Sequence, residues 1–220
     1  MRKTVIFDLD DTLVNHDRMN ETKYISEYLG FPYTEEFSKA FYDSLFGIRD
    51  YFLGKTVTKK KMALYFEKNI PDLRKYNKSG YLLMKAMEVS SINIRNRSVD
   101  RTLHHLQVAN VEMFVLTNWF YNSQVRMLKS FKYLDYFSRV FAWDDFYAKP
   151  DERSILRCIG NGNPKDFVLV GDSLYDDVLC ANKAGVISVW YNPNCTINVS
   201  TIQPDYTITD MMELLQIATI

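Results

Sequence analysis

Three carboxylates follow directly on an apolar run close to the start of the chain. The segment from Val5 to Leu13 reads VIFDLDDTL and brings Asp8, Asp10 and Asp11 close together in sequence. Like charges in such proximity destabilise a fold unless a proton is held on one carboxyl, a cation lies between them, or water surrounds them. The first two arrangements would serve acid–base or metal chemistry. The third would be a solvated acidic turn at the end of a strand.

Residues suited to phosphate or metal chemistry also follow three later apolar runs. They are a hydroxyl with an amide, a lysine, and a second acidic group: Thr117 with Asn118, Lys149, and Asp172 with Asp176 and Asp177. Ligands of open parallel sheets bind at the carboxyl ends of the strands. If these apolar runs are neighbouring strands, two acidic groups, one hydroxyl and one lysine converge on a single site.

The elements that must position these residues alternate between strands and helices. Short apolar runs rich in β-branched and aromatic residues predict strands at Thr4–Phe7, Met113–Thr117, Arg139–Ala142, Phe167–Gly171, Val186–Tyr191 and, more weakly, Tyr206–Thr209. Helical patterns lie between the later runs at Ser98–Asn110, Asn122–Phe131, Asp151–Gly160 and Leu174–Ala184. This alternation predicts an α/β fold, a Rossmann-like parallel sheet with helices on both faces.

The interval from about Asn15 to Arg97 has a different pattern. Its apolar residues recur at helical spacing, as in Phe37, Phe41, Leu45, Ile48 and Phe52. A structureless loop of this length would be improbable in a compact protein. The sequence therefore predicts a helical cap domain at 15–97, inserted after the first strand of a catalytic core formed by 1–14 and 98–220.

Composition argues against several classes of partner. Lys and Arg together number 27, as do Asp and Glu, which removes the usual electrostatic case for a nucleic-acid polymer or a membrane surface. No segment approaches the roughly 18 uninterrupted apolar residues of a membrane span, and the N-terminus enters a strand without a signal-peptide pattern. We therefore expect a cytoplasmic protein that does not bind a membrane.

Cysteine and histidine spacing indicates neither a disulfide framework nor a zinc site. The cysteines are odd in number and lack C-x-x-C spacing, so packing positions are predicted for Cys158, Cys180 and Cys195. The three histidines are equally uninformative. The adjacent pair would point to different faces of a helix, and none has the spacing of a metal ligand: His16, His104 and His105.

The order of the motifs resembles that of the haloacid dehalogenase-like (HAD) superfamily. The matching segments are DLDDT at Asp8–Thr12, FVLTN around Thr117, KPDERSIL from Lys149 and GDSLYDDVLCANKAG at Gly171–Gly185. The resemblance covers the core, and the insertion matches only in position and helical character. One departure is Trp119, where many relatives have glycine. We interpret this tryptophan as packing against a neighbouring loop rather than as narrowing the site.

The resemblance implies a Mg²⁺-dependent phosphatase that works through an aspartyl-phosphate. Asp8 would attack phosphorus, and Asp10 would protonate the leaving alcohol and then activate water. The groups holding the phosphate would be Thr117, Asn118 and Lys149. The Mg²⁺ ligands would be Asp8, the backbone carbonyl of Asp10, and Asp172. The expected substrate is a small phosphomonoester, either a nucleoside monophosphate or a sugar phosphate, and the oligomeric state stays open.

Alternatives remain at this point. A phosphomutase has the same four motifs, and a non-catalytic binding or regulatory protein could use the same fold. A dehalogenase is disfavoured, because members of that branch lack the second aspartate and the metal. In the last motif the spacing favours Asp177 over Asp176, so Asp176 is expected to lie solvated on the helix surface.

For several residues a structural role competes with a functional one. Asp11 is expected in a turn, and Ser173 is expected to cap the helix that follows it. The helical spacing of the aromatic residues in the insertion predicts that most of them form its core. The four residues singled out there for a possible contact with substrate are Tyr42, Arg49, Tyr51 and Lys55.

Overall fold

The computed structural model describes residues 3–90, 93–144 and 147–218. In chain order its strands and α-helices are β1 Thr4–Phe7, β2 Val14–His16, α1 Arg18–Leu29, α2 Glu35–Phe52, α3 Lys59–Asn69, α4 Pro71–Lys75, α5 Gly80–Ser90, β3 Asn93–Arg95, α6 Arg97–Val108, β4 Met113–Leu116, α7 Tyr121–Ser130, β5 Arg139–Phe141, α8 Arg153–Ile159, β6 Phe167–Gly171, α9 Leu179–Ala184, β7 Ile187–Tyr191, β8 Tyr206–Ile208 and α10 Leu214–Ala218. A π-helical turn, Leu174–Val178, leads directly into α9.

Six strands form one parallel sheet in the order β5-β4-β1-β6-β7-β8. The central strand β1 pairs with β4 on one side, where Val5 lies opposite Met113, and with β6 on the other, where Val5 lies opposite Val168. The strand order changes direction at β1, and such a switch opens a crevice at the carboxyl ends of the strands. The predicted α/β class with a Rossmann-like parallel sheet is confirmed.

Helices cover both faces of this sheet. Alternate residues of a strand point to opposite faces, so Val5 and Phe7 pack in a cluster with Leu103 of α6, while Ile6 packs in another with Ile155 of α8. Burial on both faces explains why the central strands are continuous apolar runs rather than alternating ones. The predicted strands all occur, and their ends differ by a single residue at most.

A short ribbon that the sequence did not predict lies where the chain leaves and re-enters the core. Strands β2 and β3 pair antiparallel, with Val14 opposite Arg95 and His16 opposite Asn93. Strands of this length carry too few residues to show an alternating pattern. The ribbon joins the two crossings between the core and the inserted helices, and it lies across the boundaries predicted for the cap.

Helices α1 to α5 form the inserted helical cap, which has an apolar core of its own. Thr34 and Thr58 cap the starts of α2 and α3 by accepting hydrogen bonds from backbone N–H groups of the first turn. The cap core includes the aromatic stripe of α2 and two buried residues of the catalytic core, Phe120 and Trp143, while Trp119 and Ala148 pack against it. The cap therefore rests on the loops that follow β4 and β5.

The burial of the cysteines and the length of the helices bear on two expectations from composition. Cys158 and Cys180 are buried beneath the sheet, as predicted, but Cys195 is exposed, so its predicted packing position is wrong. Cys195 lies in the irregular segment between β7 and β8, where the chain has little to pack against. Within the described ranges, no helix has the length and apolar character needed to cross a bilayer.

Candidate active site

The residues at the strand ends meet at one edge of the sheet. Asp8 follows β1, Asn118 follows β4, Lys149 lies on the loop after β5, and Asp172 follows β6; all four line a cavity of about 560 Å³ between the core and the cap. Thr117 is buried just behind its wall. The convergence expected from a parallel sheet is therefore present in the structure.

A buried ion cluster lies at the base of this cavity. The Nζ atom of Lys149 donates to Asp8 Oδ1 at 2.6 Å and to Asp177 Oδ1 at 2.5 Å. The three residues are only 2–7% exposed, and buried charges of this kind persist only when they are paired. Burial would lower the pKa of Lys149, but attraction to Asp177 and Asp8 outweighs that effect and raises it. The lysine is therefore held in its protonated form.

Three carboxylates in this cluster are close enough to hold one cation. Oxygens of Asp8, Asp172 and Asp177 lie within 4.8 Å of one another. Burial raises the pKa of Asp8 to about 7, with Lys149 opposing the rise and Asp177 adding to it. Burial and the nearby charge of Asp8 also raise the pKa of Asp172. Crowded oxygen ligands of this kind match the preference of Mg²⁺.

The carboxylate of Asp10 has a different set of contacts from those three. His16 Nε2 lies 2.8 Å from its Oδ1, Gln124 Nε2 donates to its Oδ2 at 2.7 Å, and the Thr117 hydroxyl lies 3.4 Å from Oδ2. Burial would raise the pKa of Asp10, but the hydrogen bond and charge of His16 outweigh it, and the pKa is lowered. Asp8 and Asp10, two residues apart, thus have pKa values shifted in opposite directions.

Two of these neighbours were missed by the sequence analysis. His16 was judged uninformative because its spacing matches no metal motif, yet β2 places its ring against Asp10. Gln124 lies in the first turn of α7, where its amide bridges Asp10 and Thr117, the latter at 2.9 Å. Its position shortly after the end of β4 is the one sequence signal that could have identified Gln124 as a site residue.

Local hydrogen bonds fix the loops that carry the cluster. The amide of Asn118 accepts from the backbone N–H of Lys149 at 2.9 Å and donates to its carbonyl at 3.0 Å, so this side chain holds the lysine loop in place. A phosphate contact by Asn118 stays a prediction. Ser173 accepts from the backbone N–H of Asp176 at 3.0 Å, which confirms the predicted cap. A Cβ on Gly171 would lie 2.2 Å from the carboxyl carbon of Asp177.

The two acids at the end of the last motif have different positions. Asp177 contacts Lys149, in agreement with the motif spacing. Asp176 is not solvated as expected: its side chain is 24% exposed, lines the cavity and lies 3.5 Å from Nη1 of Arg49. Burial raises the pKa of Asp176 to about 6, and the charge of Asp177 adds to the rise. The expectation failed because α2 of the cap covers this turn.

Of the four cap residues singled out from the sequence, Arg49 lines the cavity and the others do not. The hydroxyl of Tyr42 donates to the backbone carbonyl of Arg18 at 2.5 Å. Tyr51 and Lys55 border a separate hollow on the outside of the cap. These three side chains therefore do not face the cavity.

Asp11 matches its structural interpretation, and Trp119 matches it only in part. Trp119 packs edge-on against Phe120, with ring centroids 5.5 Å apart, and one side of it also lines the cavity. Asp11 has a left-handed backbone conformation, with φ +62°, and accepts hydrogen bonds from the backbone of His16 and from Arg18. It therefore forms the turn that was expected.

The sheet, the inserted helical cap and the carboxylate–lysine cluster together define a capped α/β fold with its site at the carboxyl ends of the strands. The sequence matches the haloacid dehalogenase-like hydrolase family over residues 5–191. The chain belongs to this family.

Individual relatives are similar over part or all of the chain. The pyrimidine 5'-nucleotidase PynA of Streptococcus pneumoniae is 29% identical over 108 residues, 47% of this chain and 46% of that protein. The chain spans about half the length of the curated relatives it matches. Among solved structures, the magnesium-bound HAD-hydrolase YfnB of Bacillus subtilis has a TM-score of 0.73 at 21% identity, covering 100% of this chain and 99% of that one. A HAD phosphatase from Thermococcus onnurineus has a TM-score of 0.70 at 24% identity, covering 98% and 97%.

Proposed function

We propose that this chain is a Mg²⁺-dependent phosphatase that hydrolyses a small phosphomonoester. The observation that carries the proposal is the buried Asp8–Lys149–Asp177 cluster beside Asp172 at the carboxyl ends of the central strands. A carboxylate nucleophile divides the hydrolysis of a phosphate ester into two easier displacements. The similarity to a pyrimidine 5'-nucleotidase supports the same class of reaction.

We assign the two aspartates of the first motif to different steps. Asp8 attacks phosphorus, and its new bond to phosphorus forms as the bond to the leaving oxygen breaks. We propose that Asp10 gives a proton to that oxygen, and then takes a proton from the water that attacks the aspartyl-phosphate. Because the pKa of Asp10 is lowered in the free site, it takes up this proton when the anionic phosphoryl group binds beside it and favours the neutral carboxyl. Phosphate leaves, and both aspartates return to their starting state. His16 and Gln124 hold the two carboxylate oxygens of Asp10.

The remaining groups neutralise and hold the phosphoryl group. We propose that Asp8, Asp172 and the backbone carbonyl of Asp10 hold Mg²⁺, and the crowded oxygens of the carboxylate cluster fit this cation. Bound Mg²⁺ supplies positive charge to the phosphoryl oxygens. Lys149 neutralises Asp8 and one phosphate oxygen, and we assign further phosphate contacts to Thr117 and Asn118.

For the leaving group, we propose a nucleoside, with a sugar as the second candidate. The pyrimidine 5'-nucleotidase relative favours a nucleoside monophosphate. The cavity wall also carries aromatic rings, those of Phe46 and Trp119, against which a base can stack. A sugar would need hydroxyl contacts instead, and polar groups also line the wall.

The test is phosphate release from a panel of nucleoside monophosphates, sugar phosphates and an aryl phosphate, in EDTA and after Mg²⁺ is restored. We expect activity that EDTA abolishes. Asp8→Asn should form no phosphoenzyme, and Asp10→Asn should be slower by on the order of 10²–10⁴. Asp43→Asn, an exposed change on the outside of α2, is the matched control. Unchanged release in EDTA would contradict the metal assignment, and near-normal turnover of Asp8→Asn would contradict the nucleophile.

A further inference from the structure

Within the described part of the chain, three arginines line the cavity outside the catalytic cluster, and each lies beside a carboxylate. Arg18 Nε lies 3.0 Å from Asp11, Arg49 Nη1 lies 3.5 Å from Asp176, and Arg126 Nη2 lies 2.5 Å from Glu88. The remaining cations are occupied as well, because Lys149 is bound by Asp8 and Asp177, and His16 lies against Asp10. Among the described residues of the wall, every side-chain cation therefore has a carboxylate partner.

Two of the pairs exist only because the cap covers the core. Arg49 lies on α2 of the cap and Asp176 on the turn before α9 of the core, while Glu88 lies on α5 of the cap and Arg126 on α7 of the core. Arg49 also lies over the ring of Tyr175, 4.6 Å from its centroid, which fixes the guanidinium on the core side. Cap docking thus cancels charge on two walls of the cavity.

The rest of the wall away from the catalytic cluster is largely apolar, with Leu45, Phe46, Ile48, Met87, Trp119, Met127 and Trp143. An anionic group buried on such a wall needs an unpaired cation, since desolvation of an uncompensated charge is costly. A carboxylate or second phosphate would also be repelled by the paired wall carboxylates. A neutral leaving group meets neither penalty.

Within the part of the chain that the structure describes, four buried side-chain polar atoms of residues that line the cavity lack a hydrogen-bond partner. Among the described residues, the buried side-chain polar atoms without a partner are Arg49 Nε, Trp143 Nε1, Gln124 Oε1 and Asp176 Oδ1, and all four residues line this cavity. Asp50 Oδ1, at 3.9 Å, is too far to bond Arg49 Nε. Two of these atoms are donors and two are acceptors, so together they give the wall no preference for an anion.

We infer that the arginine–carboxylate pairs select phosphomonoesters whose leaving group is neutral, and exclude those whose leaving group carries a carboxylate or a second phosphate. This inference rests on the proposed phosphatase function and names the substrate class for it. Asp176 and Glu88 act as specificity residues, because each masks a cavity arginine that would otherwise attract an anionic leaving group.

The carboxylates of Asp176 and Glu88 should differ in how strongly they affect selectivity. Arg49 is 36% exposed, whereas Arg126 is 62% exposed at the cavity mouth. Water and salt screen an exposed charge more strongly. Removing the carboxylate beside Arg49 should therefore change selectivity more than removing the one beside Arg126.

The experiment compares kcat/KM for a neutral and an anionic leaving group with Mg²⁺ present. The neutral probe is uridine 5'-monophosphate or glucose 6-phosphate, whichever is hydrolysed faster, and the anionic probe is 2-phosphoglycolate. We expect the wild type to prefer the neutral probe. The preference ratio should fall about tenfold in Asp176→Asn, equivalent to about 1.4 kcal/mol, and by less in Glu88→Gln. The exposed change Asp43→Asn removes the same charge from the outer surface of α2 and should leave the ratio unchanged.

A double variant shows whether the improved hydrolysis of 2-phosphoglycolate by Asp176→Asn depends on Arg49, which this change leaves without the carboxylate of Asp176. Adding Arg49→Gln to Asp176→Asn should again exclude 2-phosphoglycolate, and this reversal cannot be produced by loss of folding. Melting temperatures of all variants identify any that are unfolded. Two results would overturn the inference and leave the phosphatase function standing. One is a wild type that prefers 2-phosphoglycolate, and the other is an unchanged preference ratio in both single variants. No phosphate release from any ester overturns the proposed function and this inference with it.

Discussion

His16 offers a sharp test of how the proposed acid–base residue is positioned. Its Nε2 lies 2.8 Å from Asp10 Oδ1, and its side chain is only 11% exposed, so the ring is held against the carboxylate. His16→Ala removes this contact. His16→Gln keeps a donor on a side chain of similar reach, and the pair of variants separates the hydrogen bond from the mere presence of a side chain.

The size of the effect follows from the contacts of Asp10. A hydrogen bond to a charged group contributes about 1.5–3 kcal/mol. Gln124 still donates to Oδ2 at 2.7 Å in the variant, so the carboxyl keeps one restraint. We therefore expect a loss near the lower end of that range, which corresponds to a reaction about tenfold slower.

The assay uses two substrates that differ in their need for an acid. An alkyl phosphate has a poor leaving group that must be protonated as it departs, whereas p-nitrophenolate leaves readily without a proton. His16→Ala should lower kcat/KM for the alkyl phosphate by about tenfold, and for p-nitrophenyl phosphate by much less. His16→Gln should recover part of the alkyl phosphate activity.

A purely structural role for His16 would give a different pattern. The residue lies on β2, so its loss can loosen the ribbon that joins the cap to the core. That effect lowers the melting temperature and slows both substrates alike. Equal losses for the two substrates in His16→Ala would refute the argument that His16 positions the acid.

Three further predictions concern stability and are measured by urea denaturation. Lys149→Met should lower the free energy of unfolding by about 3 kcal/mol, because it leaves two buried carboxylates without their cation; an unchanged midpoint would show that the cluster is not buried as described. Asp100→Asn should cost about 1 kcal/mol at pH 7. Burial alone would raise the pKa of Asp100, but hydrogen bonds from Arg95 and Tyr133 outweigh it and lower the pKa. The difference in unfolding free energy between Asp100→Asn and wild type should therefore persist above the ordinary pKa of an aspartate. It should disappear as pH falls through the lowered pKa. Gly80→Ala should cost about 1–3 kcal/mol, since its Cβ would lie 2.1 Å from the backbone oxygen of Ala63, and a neutral result would mean that α5 can move away from α3.

Much of the core could be predicted because its signals are local. A central strand of a parallel sheet is buried on both faces and must be a continuous apolar run, as Thr4–Phe7 and Phe167–Gly171 are. The carboxyl ends of such strands lie at one edge, so Asp8, Lys149 and Asp172 could be brought together from chain order alone. The helical nature of the cap followed from period and length in the same way.

Tertiary structure alone decided how these groups are paired. His16 and Gln124 reach opposite oxygens of Asp10 from a two-stranded ribbon and from α7, more than 100 positions apart in the chain. Arg49 meets Asp176 only because α2 of the cap covers the turn before α9. Periodicity indicates which face of an element is buried. The partner of a polar side chain depends on how separate elements dock, and docking is determined by packing summed over many apolar contacts rather than by any local motif.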